Sequence, residues 1–408
     1  MENGNIEKRK DKTRDAGQSR GIMIVRRRVA LLVETSRAYA RGLVRGVAQY
    51  VREHGHWTID FTPRGLSDPP PTWLRGWQGD GILARINDHR MAEAVLRTGA
   101  PVVDLRRVLV DLAVPTVGPD DEAVARLAWE HFREHGFRHF AVCGMPRGLQ
   151  PPMDRRQDSF QQLVQAHGDR CEMFCLRPRR HSSEAWDQEQ DRLAGWIGRL
   201  PKPVAIYTCN DDYGMRVLDA CRRAGVFVPE EVAVLGVGND ECLCHVSNPP
   251  LSSVDLDAER IGYRAAELLD HLMAGKPPPK QPVLIPPRGV AARASTDVLA
   301  IDDEEVVRAV RFIRDHACQG IRTADVLEHV AISRAALEPR IKAILGRTIA
   351  QEIRHRQIER VKELLRDTDM PLKQIAAQTG FRYPEYMMRA FRRATGMTPK
   401  QYRKTAAK

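Results

Sequence analysis

No run of eighteen apolar residues occurs anywhere in the 408-residue chain, so a membrane-spanning helix is not expected. The opening stretch, MENGNIEKRKDKTRDAGQSRG, is charged but lacks an apolar central region, which predicts a chain that stays in the cytoplasm. Catalytic signatures are scarce as well. There is no phosphate-cradling GxxxxGK[ST], no HExxH and no GxSxG elbow turning from strand into helix. Asp211 and Asp212 form a carboxylate pair only on paper, because neighbours on a helix point to different faces. An enzyme is therefore not expected. Eight cysteines in a chain of this kind read as reduced thiols. Cys242-x-Cys244-His245 lacks a second ligand pair at zinc-finger spacing, so neither a metal nor another cofactor is expected.

What is present is length, a sizeable apolar share and an uneven charge. A chain of 408 residues, 42% of them hydrophobic, suggests two or three domains with real cores. Of the net +11, residues 297–408 hold 22 Lys plus Arg against 15 Asp plus Glu, and residues 1–28 hold 9 against 4. The 268 residues between carry −1. Positive potential that draws in phosphate is thus concentrated at the ends, and the middle suits something neutral or small.

Residues 1–27 read as a disordered basic tail. From Arg28 the pattern becomes strand, helix, strand: RVALLVE, a helix from Tyr39 to His54, WTIDF, then GDGILARI, PVVDL and VPTVG with helices between. The alternation repeats through RHFAVCG, CEMFCL, PVAIYTC and EVAVLGV, and ends with a helix from Ala258 to Ala274 and the strands PVLIP and GVAARAS. Such alternation calls for parallel sheets covered by helices. Two α/β halves in series predict a two-lobed body with a cleft over residues 28–296.

Ligands of open α/β sheets sit at the carboxyl ends of the strands. The strand-end loops carry Ser36, Arg37 and Tyr39, then Arg85, Asp120, Arg155 and Arg156, then Asn210, Asp211 and Asp212, then Asn239 and Asp240. Amides, carboxylates and arginines facing a cleft are what a polyol needs, since each hydroxyl both donates and accepts. Ser36, Asp120 and Asn210 also stand where helix N-caps belong, so each has a purely structural reading.

The last stretch, residues 297–408, is helical. Leu372, Ile375, Ala376 and Thr379 share one helix face, Gly380 supplies a stop, and a second helix starts near Pro384, its apolar stripe made by Tyr386, Ala390 and Phe391. Arg382, Glu385, Arg389, Arg392 and Arg393 crowd its other side, with Tyr383 at its start. A similar unit runs from Thr323 to Gly346, with Ala324, Val326, Leu327 and Val330 inside its first helix and Ser333 capping a second that carries Arg334, Glu338 and Lys342. A continuous helix from Thr348 to Arg366 joins them, nineteen positions or roughly 28 Å long, close to the ~34 Å repeat of the major groove. Two helix-turn-helix units on a rigid connector suit double-stranded DNA. Pro339 lies inside the first unit's reading helix, where it removes a donor and tends to kink.

At this point the tail resembles the AraC-type DNA-binding domain, on Ile375, Ala376, Gly380, Phe381, Tyr386, Phe391, Gly396, Pro399, Tyr402 and Arg403. The region Arg28 to Thr296 is similar to the ligand domain of LacI/GalR repressors and type I periplasmic sugar-binding proteins, on Arg156 four residues before Phe160, Asn210-Asp211 after AIYTC, VPEEVAVLGV and PPLSSVDLD. Ligand domain first and AraC-type pair last is the order of the xylose operon regulator family, which the segments AYARGLVRGVAQY and FIRDHACQGI also resemble. The resemblance implies a homodimeric, cytoplasmic regulator that binds a monosaccharide such as xylose, reads direct-repeat operators and works with RNA polymerase. One departure is Gly238, where that family commonly has an aspartate. A solute-binding protein without a DNA role is the alternative, and the basic tail domain speaks against it.

Overall fold

The computed structural model describes residues 26–55, 57–65, 68–109, 111–177, 183–298 and 303–406. Most of the expected N-terminal tail and residues 299–302 of the linker STDVLAIDD lie outside these.

The first lobe is built from β1 (Arg27–Leu32), α1 (Ala38–His54), β2 (Trp57–Phe61), β3 (Gly81–Ala84), α2 (His89–Leu96), β4 (Val102–Asp104) and β5 (Val117–Pro119). The chain then enters the second lobe through α3 (Asp121–Glu134), β6 (His139–Gly144), α4 (Pro151–Ala166), β7 (Cys171–Cys175), α5 (Ser183–Arg199), β8 (Val204–Thr208), α6 (Asp211–Ala224), β9 (Val232–Val237), α7 (Glu241–Val246) and β10 (Ser252–Asp255). It crosses back for α8 (Ala258–Met273) and β11 (Val283–Ile285), and returns for β12 (Gly289–Ala291). Sheet orders are β2-β1-β3-β4 in the first lobe and β12-β10-β9-β8-β6-β7 in the second, with β11 pairing β5 in a small third sheet. All pairs are parallel except β10 with β12.

The halves are therefore not simply in series. The chain crosses between lobes three times, because α8 finds its apolar partner on α1, where Ile261, Ala265 and Leu269 join Leu43, Val47 and Tyr50 in one core. Glycines let the two helices touch. A Cβ on Gly46 would lie 1.8 Å from the Glu259 carbonyl oxygen, and one on Gly262 would lie 2.1 Å from that of Leu43. Three chain crossings join the two lobes, where a single tether would join them once.

The helical region comprises α9 (Glu304–His316), α10 (Thr323–Val330), α11 (Arg334–Leu345), the connector α12 (Ile349–Asp367), α13 (Leu372–Gln378), α14 (Pro384–Thr395) and α15 (Pro399–Ala406). Thr348 and Gln351 form a capping box that starts α12, and Ser333 caps α11 by accepting from the Ala336 amide. Each unit has its own core, Val326, Val330, Leu337, Ile341 and Leu345 in the first, and Ile375, Ala376, Phe381, Met387 and Phe391 in the second.

Several expectations change here. Ala324 is exposed, and in α14 the buried residues are Met387 and Phe391, whereas Tyr386 is exposed. Its ring is claimed from outside, with the Arg354 guanidinium 4.6 Å from its centroid and donating to its hydroxyl at 3.0 Å. Pro339 leaves α11 one continuous element; it and Ala335 are exposed, so solvent can meet the carbonyl that loses its donor. The residue before α1 is Arg37, which makes no side-chain cap, so Ser36 does not cap that helix. Among the described residues no helix is long and apolar enough to cross a membrane.

Candidate functional site

A cavity of about 460 Å³ opens between the lobes where strands end. β1 delivers Ser36, Arg37 and Tyr39, β3 delivers Arg85, β4 delivers Leu105 and Arg106, β8 delivers Asn210, Asp211 and Asp212, and β9 delivers Gly238 and Asp240. Arg156 arrives from α4, with Pro152 and Met153. Polar contacts between the lobes cross the cavity: Arg37 meets Asp212 at 3.3 Å, the Ala38 amide donates to Asp240 at 3.3 Å, and Arg106 donates to the side-chain oxygen of Gln150.

Beneath the wall, buried charges are paired, as the low dielectric requires. Arg156 donates through Nε to Asp121 Oδ1 at 2.9 Å and through Nη1 to the Cys209 carbonyl at 3.0 Å. Arg85 is paired with buried Glu34. Asp211 accepts from the Ser253 hydroxyl at 2.5 Å and the Asp240 amide at 2.8 Å, yet burial still pushes its carboxyl up to about 6. Burial raises Tyr39 to about 12, so its hydroxyl stays a donor, and that oxygen has no hydrogen-bond partner among the described residues. Asp104 collects the amides of Ile86, Arg106 and Arg107, fixing the turn that presents Arg106.

Of the residues picked out by strand-end reasoning, Arg37, Tyr39, Arg85, Arg156, Asn210, Asp211 and Asp240 are brought together on this wall. Asp120 is not among the lining residues; its carboxylate caps α3 by accepting from Ala123 at 3.0 Å. Asn239 is also off the wall, in a left-handed conformation with φ +50, its side chain held by Asp255 and Arg293. Arg106 was not anticipated, although the same rule applied to PVVDL finds it two residues past the strand.

The second candidate surface lies on the helical units. Arg382, Tyr383, Glu385, Arg389, Arg392 and Arg393 are exposed along α14 and its leading turn. On α11, Lys342 is exposed and Arg334 is tied to Glu338 at 2.5 Å. Buried Gln357, on the connector, donates to the carbonyls of Ala317 at 2.9 Å and Gly380 at 3.4 Å, tying one unit to the other. A solvent-facing basic helix is able to contact phosphate and base edges; a buried one is not.

The ligand body and the helical region touch. Glu134, the last residue of α3, faces Arg347 at 3.6 Å, Arg356 at 3.4 Å and the His355 ring. Burial alone would raise this carboxyl, but the hydrogen bond from His355 and the charges of Arg356 and Arg347 hold it well below the usual carboxylate range. Arg138 adds bonds to the carbonyls of Ala343 at 2.7 Å and Ile344 at 2.5 Å, at the end of α11.

Family models match in three segments: a XylR N-terminal domain over residues 28–110, a periplasmic binding protein-like domain over 129–296 and a helix-turn-helix domain over 326–405. The xylose operon regulatory protein of Escherichia coli K12 is 32% identical over 388 residues, covering 93% of this chain and 97% of its own length. That of Haemophilus influenzae Rd is 30% identical over 382 residues, covering 92% and 98%. Among solved structures, the xylose-binding transcription activator xylR aligns with TM-score 0.61 at 31% identity over 93% of this chain and 98% of that one. A LacI family regulator from Mycobacterium smegmatis shares the fold of the ligand body, with TM-score 0.54 at 21% identity over 66% of this chain and 98% of its own. These relatives are transcription regulators, not enzymes.

Proposed function

We propose that this chain, which belongs to the xylose operon regulator family, is a sugar-sensing regulator in which closure of the cleft sets the position of the DNA-reading helices. Residues 28–296 form the sensing unit and 297–408 the reading unit. The sugar lies among Arg37, Tyr39, Arg85, Arg106, Arg156, Asn210, Asp211 and Asp240, and base edges are met by Arg382, Glu385, Arg389 and Arg393.

The observation that carries this reading is the path of α3. Its first residue, Asp121, holds Arg156 in the cavity wall, and its last, Glu134, is clasped by Arg347, His355 and Arg356 of the helical region. Fourteen helical residues span roughly 20 Å. Ligand that draws Arg156 tilts one end of a rod whose other end is fixed to the reading unit. It biases that equilibrium only by its differential affinity for the two arrangements. The protein works in the cytoplasm as a homodimer on direct-repeat operators, a reading supported by the two reading units that each protomer carries in tandem on one connector helix, and it contacts RNA polymerase from there.

Selection of duplex DNA from a random pool by the full chain, followed by footprinting, tests this. Enrichment of sites with directly repeated half-sites and a steep loss of affinity with salt are expected. An unenriched pool, or strictly inverted half-sites, would count against it.

A further inference from the structure

The cavity's charges are not evenly answered. Arg37 has Asp212, Arg85 has Glu34 and Arg156 has Asp121. Arg106 has no carboxylate partner among the described residues. Its guanidinium meets the neutral side-chain oxygen of Gln150, while Glu34, the acid whose field reaches it, is already taken by Arg85. Burial, then the neighbouring guanidinium of Arg85, pushes Arg106 down to about 9, which leaves it a cation at neutral pH. Across the cavity the chemistry reverses. Asp240 presents its carboxylate, one oxygen of which already accepts from the Ala38 amide; Asn210 keeps its side-chain oxygen on the Tyr213 amide as the cap of α6 and leaves its amide N–H groups to donate; and no side chain projects from Gly238.

A neutral polyol would use the Asp240 side and leave the guanidinium of Arg106 desolvated against uncharged groups, which is costly. A sugar carrying one anionic group fits both sides at once. Its hydroxyls reach Asp240, Asn210 and Tyr39, and its anion forms the planar, two-point pair that arginine favours. We therefore infer that the effector is an anionic monosaccharide, bearing a carboxylate or a phosphate that Arg106 recognises. This rests on the sugar-sensing reading above and narrows its ligand class. It also gives Arg106 a mechanical role, since its bond to Gln150 spans the lobes and a bound anion would draw both toward it.

Matched pairs decide it. Calorimetry on the full chain compares D-xylose with D-xylonate, D-galactose with D-galacturonate, and D-glucose with glucose 6-phosphate, each repeated with Arg106→Gln and Arg106→Lys. Circular dichroism checks that both variants still melt cooperatively. At least one acid or phosphate should bind about tenfold or more tightly than its neutral partner, as a charge-assisted pair allows. Arg106→Gln should collapse that ratio toward one and Arg106→Lys should restore part of it; whether carboxylate or phosphate is preferred identifies the source of the anion. Neutral sugars that bind as tightly as their acids overturn the inference while leaving the sugar-sensing reading intact. An anion preference that survives in Arg106→Gln overturns the assignment to this residue. If nothing in the panel binds while the chain still selects DNA, both readings fall.

Discussion

Gly238 shows how a single position bears on two questions. Its φ of +128 lies where side chains are strained, and an added Cβ would sit 3.1 Å from Asp211 Oδ2. Gly238→Asp would therefore strain the backbone and press a second carboxylate on Asp211, costing about 1–3 kcal/mol of stability, read as a lower melting temperature. An aspartate placed here is not a simple gain of a sugar acceptor. His135 governs a different property. It is buried at the end of α3, its Nδ1 2.6 Å from the His131 carbonyl, and burial and then the charge of Arg314 push it down to about 4. An unfolded histidine titrates near 6.5. Below that pH the unfolded chain takes up a proton that the folded chain refuses until about pH 4, so stability is full above pH 6.5 and falls on acidification, on the order of 3 kcal/mol in all. His131, buried beside it, acts in the same direction. Asp211, raised to about 6, acts in the opposite direction, because the folded chain there keeps a proton that the unfolded chain releases. Thermal melts from pH 7 to 5 should show falling stability, and His135→Gln should flatten the slope; an unchanged slope would remove His135 from the account.

At the scale of elements, the proposed function divides the labour of reading between α11 and α14. Arg389 is exposed on α14 and its guanidinium carbon lies 6.0 Å from the centre of the Tyr386 ring, whereas Arg334 on α11 is already engaged by Glu338. Arg389→Ala should relax preference at one operator position by about 1–3 kcal/mol. Arg334→Ala should weaken binding to all sequences alike. Identical specificity profiles for the two variants in a selection assay would refute the division. Most of these elements were legible from periodicity, since the core faces of α11, α12 and α13 follow directly from the spacing of residues such as Leu337, Ile358 and Ile375. Partners were harder to read. The spacing in α8 marks an apolar face without saying that it belongs to α1 in the other lobe, and only the glycines at 46 and 262, understood as contact points, carry that information. Tyr386 misled for a related reason: its apolar ring fits the stripe, but a cation on α12 holds it outside the core. The cavity was legible because strand ends converge. Asp120 and Asn239 stand at strand ends too, yet the backbone turns their side chains to a cap and to Arg293.

Across the whole molecule, the claim is that the cavity and the reading helices are coupled through α3. Glu134→Gln removes the charge that Arg347, His355 and Arg356 share, at the end of α3 remote from Asp121. The expected result is a protein that still binds its sugar by calorimetry and still binds operator, but whose operator affinity no longer responds to the sugar. The wild-type response sets the scale, and it is the measurement that tests the account most directly: fluorescence anisotropy of the full chain on its selected operator, with and without saturating D-xylose or D-xylonate. A shift in affinity of roughly 5- to 150-fold with a bound sugar is predicted, the range of ordinary allosteric coupling. Equal operator affinities with and without a sugar that calorimetry shows to be bound would contradict it.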